Sequence, residues 1–260
     1  MTKAWSAGWA VVLFAAGLIF ADEYKEIEVQ GGGTVQGVVK WVGEKPTLEP
    51  MPIHKDAACC GGPTIPSPRL RISESGGVAN SVVWLVALAQ GKKLDSLGTE
   101  FLLDQVKCEY VPHVLIVPAR REVTMVNSDP ILHTVNGSGI KEFNYAFPTQ
   151  GRKLPEQLKK AGIIRLSCDT GHTWMSGAIH VVAHPYYAVT DAEGRFKLTD
   201  VPPGAYKIAM WHEGWKVLEI RKKDGEISGY SYAADVTAEK DVTVPGAGEV
   251  AVDFELSEPK

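Results

Sequence analysis

The sequence of 260 residues lacks several features that would point directly to a function. Basic residues are not in excess, because 27 Lys and Arg stand against 31 Asp and Glu and give a net charge of -4. Such a balance offers no uniform field to a polyanion, so nucleic acid is excluded as an expected partner. There is no Gly-x-Ser-x-Gly elbow and no glycine loop for phosphate, so hydrolase and nucleotide chemistry find no support.

Long hydrophobic runs are also lacking, except at the start of the chain. Lys3 precedes an apolar run over residues 5–21, which ends in the small residue Ala21 before acidic Asp22. A charged head, an apolar middle and a small-residue exit predict a signal peptide at residues 1–21 and export to the periplasm or the extracellular space. The run is shorter than the roughly 20 residues of a membrane span. An uncleaved anchor remains the alternative, and contact with a membrane is expected only in that case.

Glycine and proline are plentiful, with 26 and 16 residues spread along the chain. This punctuation is typical of short strands joined by turns, and it predicts an all-β protein. Alternating or apolar patterns predict strands at 34–43, 81–88, 111–117, 122–127, 163–167 and 178–182. One short helix is predicted at 154–161, with Pro155 in its first turn and Gly162 after its end.

One constellation of side chains carries chemistry. Cys168, His172 and Met175 lie on a single loop between two predicted strands, and His133 lies about 35 residues upstream. A thiolate and two imidazoles suit copper in both oxidation states, and a weak thioether ligand tunes its potential. Zinc rarely takes methionine. The sequence therefore predicts a site for one copper ion per chain, although Cys168 taken alone is equally typical of a buried core thiol.

Two motifs carry a resemblance to a known family. The stretch Val126-Asn127-Ser128-Asp129 to His133-Thr134-Val135 resembles the first copper-ligand strand of plastocyanin-like cupredoxins, and the Cys168 loop resembles their second. The resemblance covers residues 101–184 and implies a cupredoxin Greek-key β-sandwich that transfers electrons. It implies His133, Cys168 and His172 in the metal plane, Met175 on the axis and a redox partner such as a cytochrome. Asn127 is expected to hydrogen-bond to the Cys168 loop.

The loop departs from the family pattern in its spacing. Three residues separate Cys168 from His172, as in the dinuclear copper loop of cytochrome oxidase subunit II, but Ile164 stands where that loop has a second cysteine. We therefore predict a mononuclear site. Gly171 is an extra residue relative to the bacterial plastocyanin-like proteins.

The rest of the chain resembles a second family. Residues 186–206, with Gly194-Arg195-Phe196 and Val201-Pro202-Pro203-Gly204, are similar to carboxypeptidase regulatory-like modules, which are small transthyretin-like β-sandwiches. The strand at 35–39 resembles the first strand of the same module. The predicted organisation is an N-terminal β segment at 22–100, a cupredoxin domain at 101–184 and the module at 185–260. The N-terminal segment is then the first part of a sandwich that is split in sequence.

The remaining cysteines and histidines have structural interpretations. Cys108 is expected to form a disulfide with Cys60 or with Cys59, and the sequence does not choose between them. His113 lies within the predicted apolar strand at 111–117 and is interpreted as structural. A closed set of four ligands predicts an electron-transfer protein and not an enzyme. The alternative is a binding or scaffold protein, or a copper store, with a cupredoxin domain that does not exchange electrons.

Overall fold

A computed structural model of the protein describes residues 24–258, and strands predominate throughout this part of the chain. The all-β prediction is confirmed. The predicted signal peptide lies outside the described residues. Within residues 24–258, none of the helices has the length and apolar character needed to cross a membrane.

Before residue 101 the structure has several short elements and two strands that join larger sheets. These elements are β1 (Lys25–Glu26), β2 (Gly33–Trp41), β3 (Met51–Pro52), helix α1 (Ala57–Cys60), β4 (Thr64–Ile65), β5 (Val82–Leu85), β6 (Gln90–Gly91) and a 3-10 turn at Leu94–Leu97. The strands that join larger sheets are β2 and β5. We call residues 46–68, which include α1 and its flanking loops, the cover segment.

Residues 102–182 form a β-sandwich of two sheets, which we call the site sandwich. One sheet has the strand order β13-β10-β7-β8 and the other has the order β12-β11-β14-β15-β9. The strands are β7 (Leu102–Val106), β8 (Glu109–Val111), β9 (Val114–Pro118), β10 (Arg121–Asn127), β11 (His133–Gly139), β12 (Phe143–Phe147), β13 (Lys153–Leu158), β14 (Gly162–Ser167) and β15 (Ser176–Val182).

The helix predicted at 154–161 is wrong. Residues 153–158 form β13, which pairs antiparallel with β10 at the edge of its sheet. The burial of the strand alternates, with Leu154 and Leu158 less exposed than their neighbours. An edge strand tolerates Pro155, because the missing N–H can face away from the ladder. Pro155 and Gly162 resemble the start and stop signals of a helix, but the two-residue period of burial is that of a strand.

A second sandwich takes strands from both sides of the site sandwich. Its sheets have the orders β16-β5-β18-β21 and β17-β2-β22, with β23 also paired to β2. Strands β2 and β5 precede residue 101, so the sandwich is split in sequence. Its later strands, together with the separate β19–β20 hairpin, are β16 (Tyr187–Val189), β17 (Arg195–Val201), β18 (Gly204–His212), β19 (Val217–Lys223), β20 (Glu226–Tyr232), β21 (Val236–Val244), β22 (Glu249–Ala251) and β23 (Phe254–Leu256).

The two sandwiches meet through both apolar and charged side chains. Val82 and Trp211 of the second sandwich pack with Val114 and Ala178 of the site sandwich. Beside them, the buried carboxylate of Glu213 forms an ion pair with Arg69 and a hydrogen bond with the His113 ring. In the structure His113 therefore joins the two sandwiches.

Candidate metal centre

The sheet topology brings the predicted ligands to one end of the site sandwich. His133 is the first residue of β11, and β11 pairs antiparallel with β14. The loop that carries Cys168 and His172 joins β14 to β15, so it leaves the sheet beside the start of β11. Side chains 35 residues apart in sequence thus become neighbours.

Three of the predicted ligands converge closely. The Nδ1 atoms of His133 and His172 are 3.0 Å apart, and the Cys168 Sγ lies 3.9 Å from the first and 3.7 Å from the second. All three side chains are buried. Metal bonds of about 2.0 Å to nitrogen and about 2.3 Å to sulfur imply ligand separations of roughly 3 to 4 Å. The set therefore fits a single ion.

Both imidazole rings are held from behind by carboxylates. His133 Nε2 lies 2.9 Å from Asp129 Oδ2, and His172 Nε2 lies 3.0 Å from Asp56 Oδ2. When each Nε2–H donates its hydrogen bond to a carboxylate, the ring turns Nδ1 toward the cysteine sulfur. This is the arrangement that metal-binding histidines require, because the partner fixes the tautomer and the ring orientation.

Asp129 is itself fixed by backbone donors. Its carboxylate accepts hydrogen bonds from the N–H groups of Lys107 and Cys108, at 2.7 and 2.8 Å. Its own N–H donates to Asn127 Oδ1. The ring of His133 is thus connected to the turn between β7 and β8.

Asn127 does not have the role that the resemblance implies. Its side-chain amide donates to the carbonyls of Ile131 and Phe147, at 2.8 and 3.0 Å. These two acceptors flank His133, since Ile131 lies two residues before it and Phe147 pairs with it across β11 and β12. The reason is positional, since Asn127 ends β10 and the chain turns from there directly toward β11. Asn127 therefore shapes the approach to His133.

The environment of Cys168 favours the thiolate. Burial alone would raise the pKa of the thiol, but hydrogen bonds with His133, His172, the Thr134 N–H and Thr170 together lower that pKa to about 5. The Thr134 nitrogen and the Thr170 hydroxyl lie 3.3 and 3.1 Å from the sulfur. The thiolate is the form of cysteine that binds metals.

Met175 lies at the end of the same loop. Its side chain is buried in the apolar cluster that also contains Cys168 and Trp174, and its N–H donates to the His172 carbonyl at 3.0 Å. Cys168 and Met175 also line one cavity of about 580 Å³, whose wall includes Arg69 and Arg165. The sulfur side of the site thus borders an open space.

The extra residue Gly171 is accommodated by its backbone conformation. Its φ is +94°, in the left-handed region that glycine adopts without strain. Beyond it, the loop still brings the His172 ring to Cys168. The added residue therefore changes the path of the loop without separating the ligands.

The outer edge of His172 is covered. His172 has no exposed surface and Trp174 is also buried. Asp56 of the cover segment bonds to the ring, and Lys55 Nζ donates to the Thr170 carbonyl at 3.0 Å. Sequence inspection missed this because the cover segment lies more than 100 residues from the loop that it shields.

The disulfide between Cys60 and Cys108 links the cover segment covalently to the site sandwich. This is one of the two pairings that the sequence left open, and Cys59 keeps a free thiol. Cys108 stands in the β7–β8 turn, whose N–H groups bind Asp129. The disulfide thus connects the segment that carries Asp56 to the turn that fixes Asp129.

Comparison with known proteins gives structural matches only. No family model matches the sequence, and no curated protein matches it. A purple cupredoxin from Nitrosopumilus maritimus is 19% identical and covers 32% of this chain and 100% of its own, with a TM-score of 0.29. Amicyanin from Paracoccus versutus is 21% identical over 33% of this chain and 83% of its own, with a TM-score of 0.29.

A copper-containing nitrite reductase from Thermus scotoductus SA-01 is also similar, at 21% identity and a TM-score of 0.28. It shares 32% of this chain but only 22% of its own length. The likeness to cupredoxins thus extends over about a third of the chain. The carboxypeptidase regulatory-like module stays a prediction.

Proposed function

We propose that this is an exported, mononuclear copper protein that passes single electrons between redox partners, one of them a redox protein such as a cytochrome. The observation that supports this most is the convergence of His133 Nδ1, His172 Nδ1 and Cys168 Sγ on one buried point. A thiolate with two imidazoles and a nearby thioether is the donor set of copper electron-transfer sites. Copper bound there would supply a one-electron couple.

The protein side chains keep this donor set in place without help from the metal. Asp129 and Asp56 fix the two rings, and the Thr134 N–H bonds to the Cys168 sulfur. The bond from the Met175 N–H to the His172 carbonyl closes the loop. A donor set that is already fixed changes little on electron transfer, which keeps the reorganisation energy low.

Met175 would be the fourth ligand in this proposal. With four protein ligands there is no open position for a substrate, so the proposed protein is not an enzyme. Since His172 is covered, electrons would pass on the sulfur side, where Cys168 and Met175 border the cavity. Arg69 and Arg165 in its wall each form an ion pair, with Glu213 and Asp235.

One observation favours a second candidate function, that of a copper store or scaffold. Within residues 24–258, His172 has no exposed edge, because Asp56 and the cover segment lie over it. A store benefits from such shielding, whereas electron transfer requires a close approach to a ligand. Reversible one-electron cycling at an electrode separates the two, because only an electron carrier needs rapid exchange.

The direct test is Cys168→Ala. Loss of the thiolate should abolish the uptake of one copper ion per chain and the intense thiolate-to-copper band in the visible spectrum. Cys59→Ala is the matched control, since it removes the other free thiol and should leave both signals unchanged. Retention of one copper ion by Cys168→Ala, measured by metal analysis of the folded protein, would refute the proposal.

A second variant tests whether Met175 would be the fourth ligand. Met175→Leu should leave copper binding intact and raise the midpoint potential, because a weak donor to Cu(II) is lost. A potential equal to that of the parent protein would remove Met175 from the ligand set.

A further inference from the structure

Three cysteine sulfurs lie together beneath the cover segment. Cys60 and Cys108 form the disulfide, and the free thiol of Cys59 lies within 4.8 Å of the Cys108 sulfur and of an Asp129 carboxylate oxygen. Cys60 and Cys108 are buried, whereas Cys59 is partly exposed. The reduced sulfur is therefore both next to the disulfide and closer to solvent than either of its members.

We propose that Cys59, Cys60 and Cys108 form a thiol–disulfide exchange centre, with the disulfide passing between Cys60–Cys108 and Cys59–Cys108. Cys59 loses its proton, and its thiolate attacks the Cys108 sulfur. The Cys59–Cys108 bond forms as the Cys60–Cys108 bond breaks, and Cys60 leaves as a thiolate that takes up the proton. The exchange needs no external oxidant or reductant, because one disulfide replaces another.

The rate of exchange depends on the surroundings of Cys59. Burial, and then the nearby charges of Asp129 and Asp56, raise the pKa of this thiol. A protonated thiol is a poor nucleophile, so exchange from the observed Cys60–Cys108 pairing is slow near neutral pH and becomes faster as the solution becomes alkaline. In the other pairing, one sulfur of the bond is the partly exposed one. Small dithiols in solution therefore reach the disulfide through Cys59.

The centre is connected to both histidines of the metal site. The Asp56 carbonyl accepts the N–H groups of Cys59 and Cys60, and the Asp56 carboxylate holds His172. On the other side, Asp129 accepts the Cys108 N–H and holds His133. A change of pairing pulls on the cover segment at a different residue, and this change reaches the His172 ring through Asp56. The exchange itself does not depend on bound copper.

Native reduction by dithiothreitol tests the centre. In the full chain without denaturant, Cys59→Ser should slow the reduction of the disulfide by about tenfold or more, because the remaining disulfide is buried. The parent protein and the variant should react at equal rates in concentrated urea, where all sulfurs are exposed. Equal rates in the native state would overturn the proposal. Thiols are counted by alkylation and intact mass, so copper binding does not enter the result.

A second variant tests the alternative bond itself. Cys60→Ser should form the Cys59–Cys108 disulfide, leaving only Cys168 free, whereas three free thiols would overturn the proposal. If this variant does not fold, the parent protein is held at mildly alkaline pH, acidified and alkylated under denaturing conditions. Fragmentation of the unreduced peptide should then find part of the label on Cys60. Label confined to Cys59 would overturn the proposal.

Discussion

The two sandwiches of this chain share an architecture but differ in what fills them. The core of the second sandwich is apolar, with side chains such as Val35, Leu85 and Phe254 fully buried. The site sandwich buries Asn127, Asp129, His133 and His172 at one end of a similar core. Buried polar groups are costly unless hydrogen-bonded. In the site sandwich, these buried polar side chains are held by hydrogen bonds to one another, to Asp56 and to the backbone.

The largest effect on stability is expected at the contact between the two sandwiches, where a charged side chain is buried. Glu213, directly after β18, is buried and contacts Arg69 and His113. Glu213→Gln should lower the free energy of unfolding by about 3 to 5 kcal/mol, because the buried Arg69 guanidinium loses its counterion. Urea denaturation measures the loss.

The control for this variant is Arg71→Ala, which breaks the more exposed pair with Glu109. Removing a solvated pair should change the unfolding free energy by less than about 1 kcal/mol. Equal effects of the two substitutions would show that the contact between the sandwiches is not a buried charge cluster.

A pair of core substitutions separates stability from the site. Leu85→Ala in the second sandwich and Leu166→Ala in β14 each remove a buried side chain and should each cost about 2 to 5 kcal/mol. Only Leu166→Ala should also alter the visible copper spectrum, because Leu166 lies two residues before Cys168. Unfolding curves and spectra of the copper-loaded variants check this. A shifted spectrum in Leu85→Ala would mean that the sandwiches are coupled.

The sequence predicts part of this site for a clear reason. Cys168, His172 and Met175 share one loop, so a local pattern suffices for them. His133 is found through the motif that resembles cupredoxins, and the pairing of β11 with β14 places it beside the loop. Asp129 belongs to the same motif, four residues before His133, but the sequence does not predict its bond to the His133 ring. The role of Asp56 could not be predicted from the sequence, because its bond to His172 joins residues 116 positions apart. The helix misassigned at 154–161 failed on similar grounds, since its strand character comes from pairing with β10.

The pH dependence of stability should reveal a group at the interface. Burial lowers the pKa of His180 from 6.5 to about 4, and its Nε2 has no hydrogen-bond partner among the described residues. Between pH 6.5 and 4 the unfolded chain takes up this proton and the folded chain does not, so stability falls as the pH falls. Two to three pKa units correspond to about 3 kcal/mol.

His180→Phe is the matched variant, since it keeps a buried ring against Trp211. Between pH 6.5 and 4, the unfolding free energy of this variant should fall by roughly 3 kcal/mol less than that of the parent protein. Above pH 6.5, the unfolding free energies of the two proteins should change with pH in the same way. Unfolding free energies at several pH values check the difference. Identical pH profiles would show that His180 is not the titrating group.

The smallest expected effect lies at the edge of the site, where the cover segment meets the metal ligands. Asp56→Asn keeps an oxygen that accepts the His172 Nε2 proton but removes the negative charge behind the ring. Loss of such a partner weakens metal affinity by about 10- to 100-fold. Asp95→Asn, at an exposed pair with Arg121, is the control and should bind copper as the parent does. Competition titration with a copper chelator gives the affinities. An unchanged affinity in Asp56→Asn would mean that the packing around His172, and not the Asp56 charge, holds the ring for the metal.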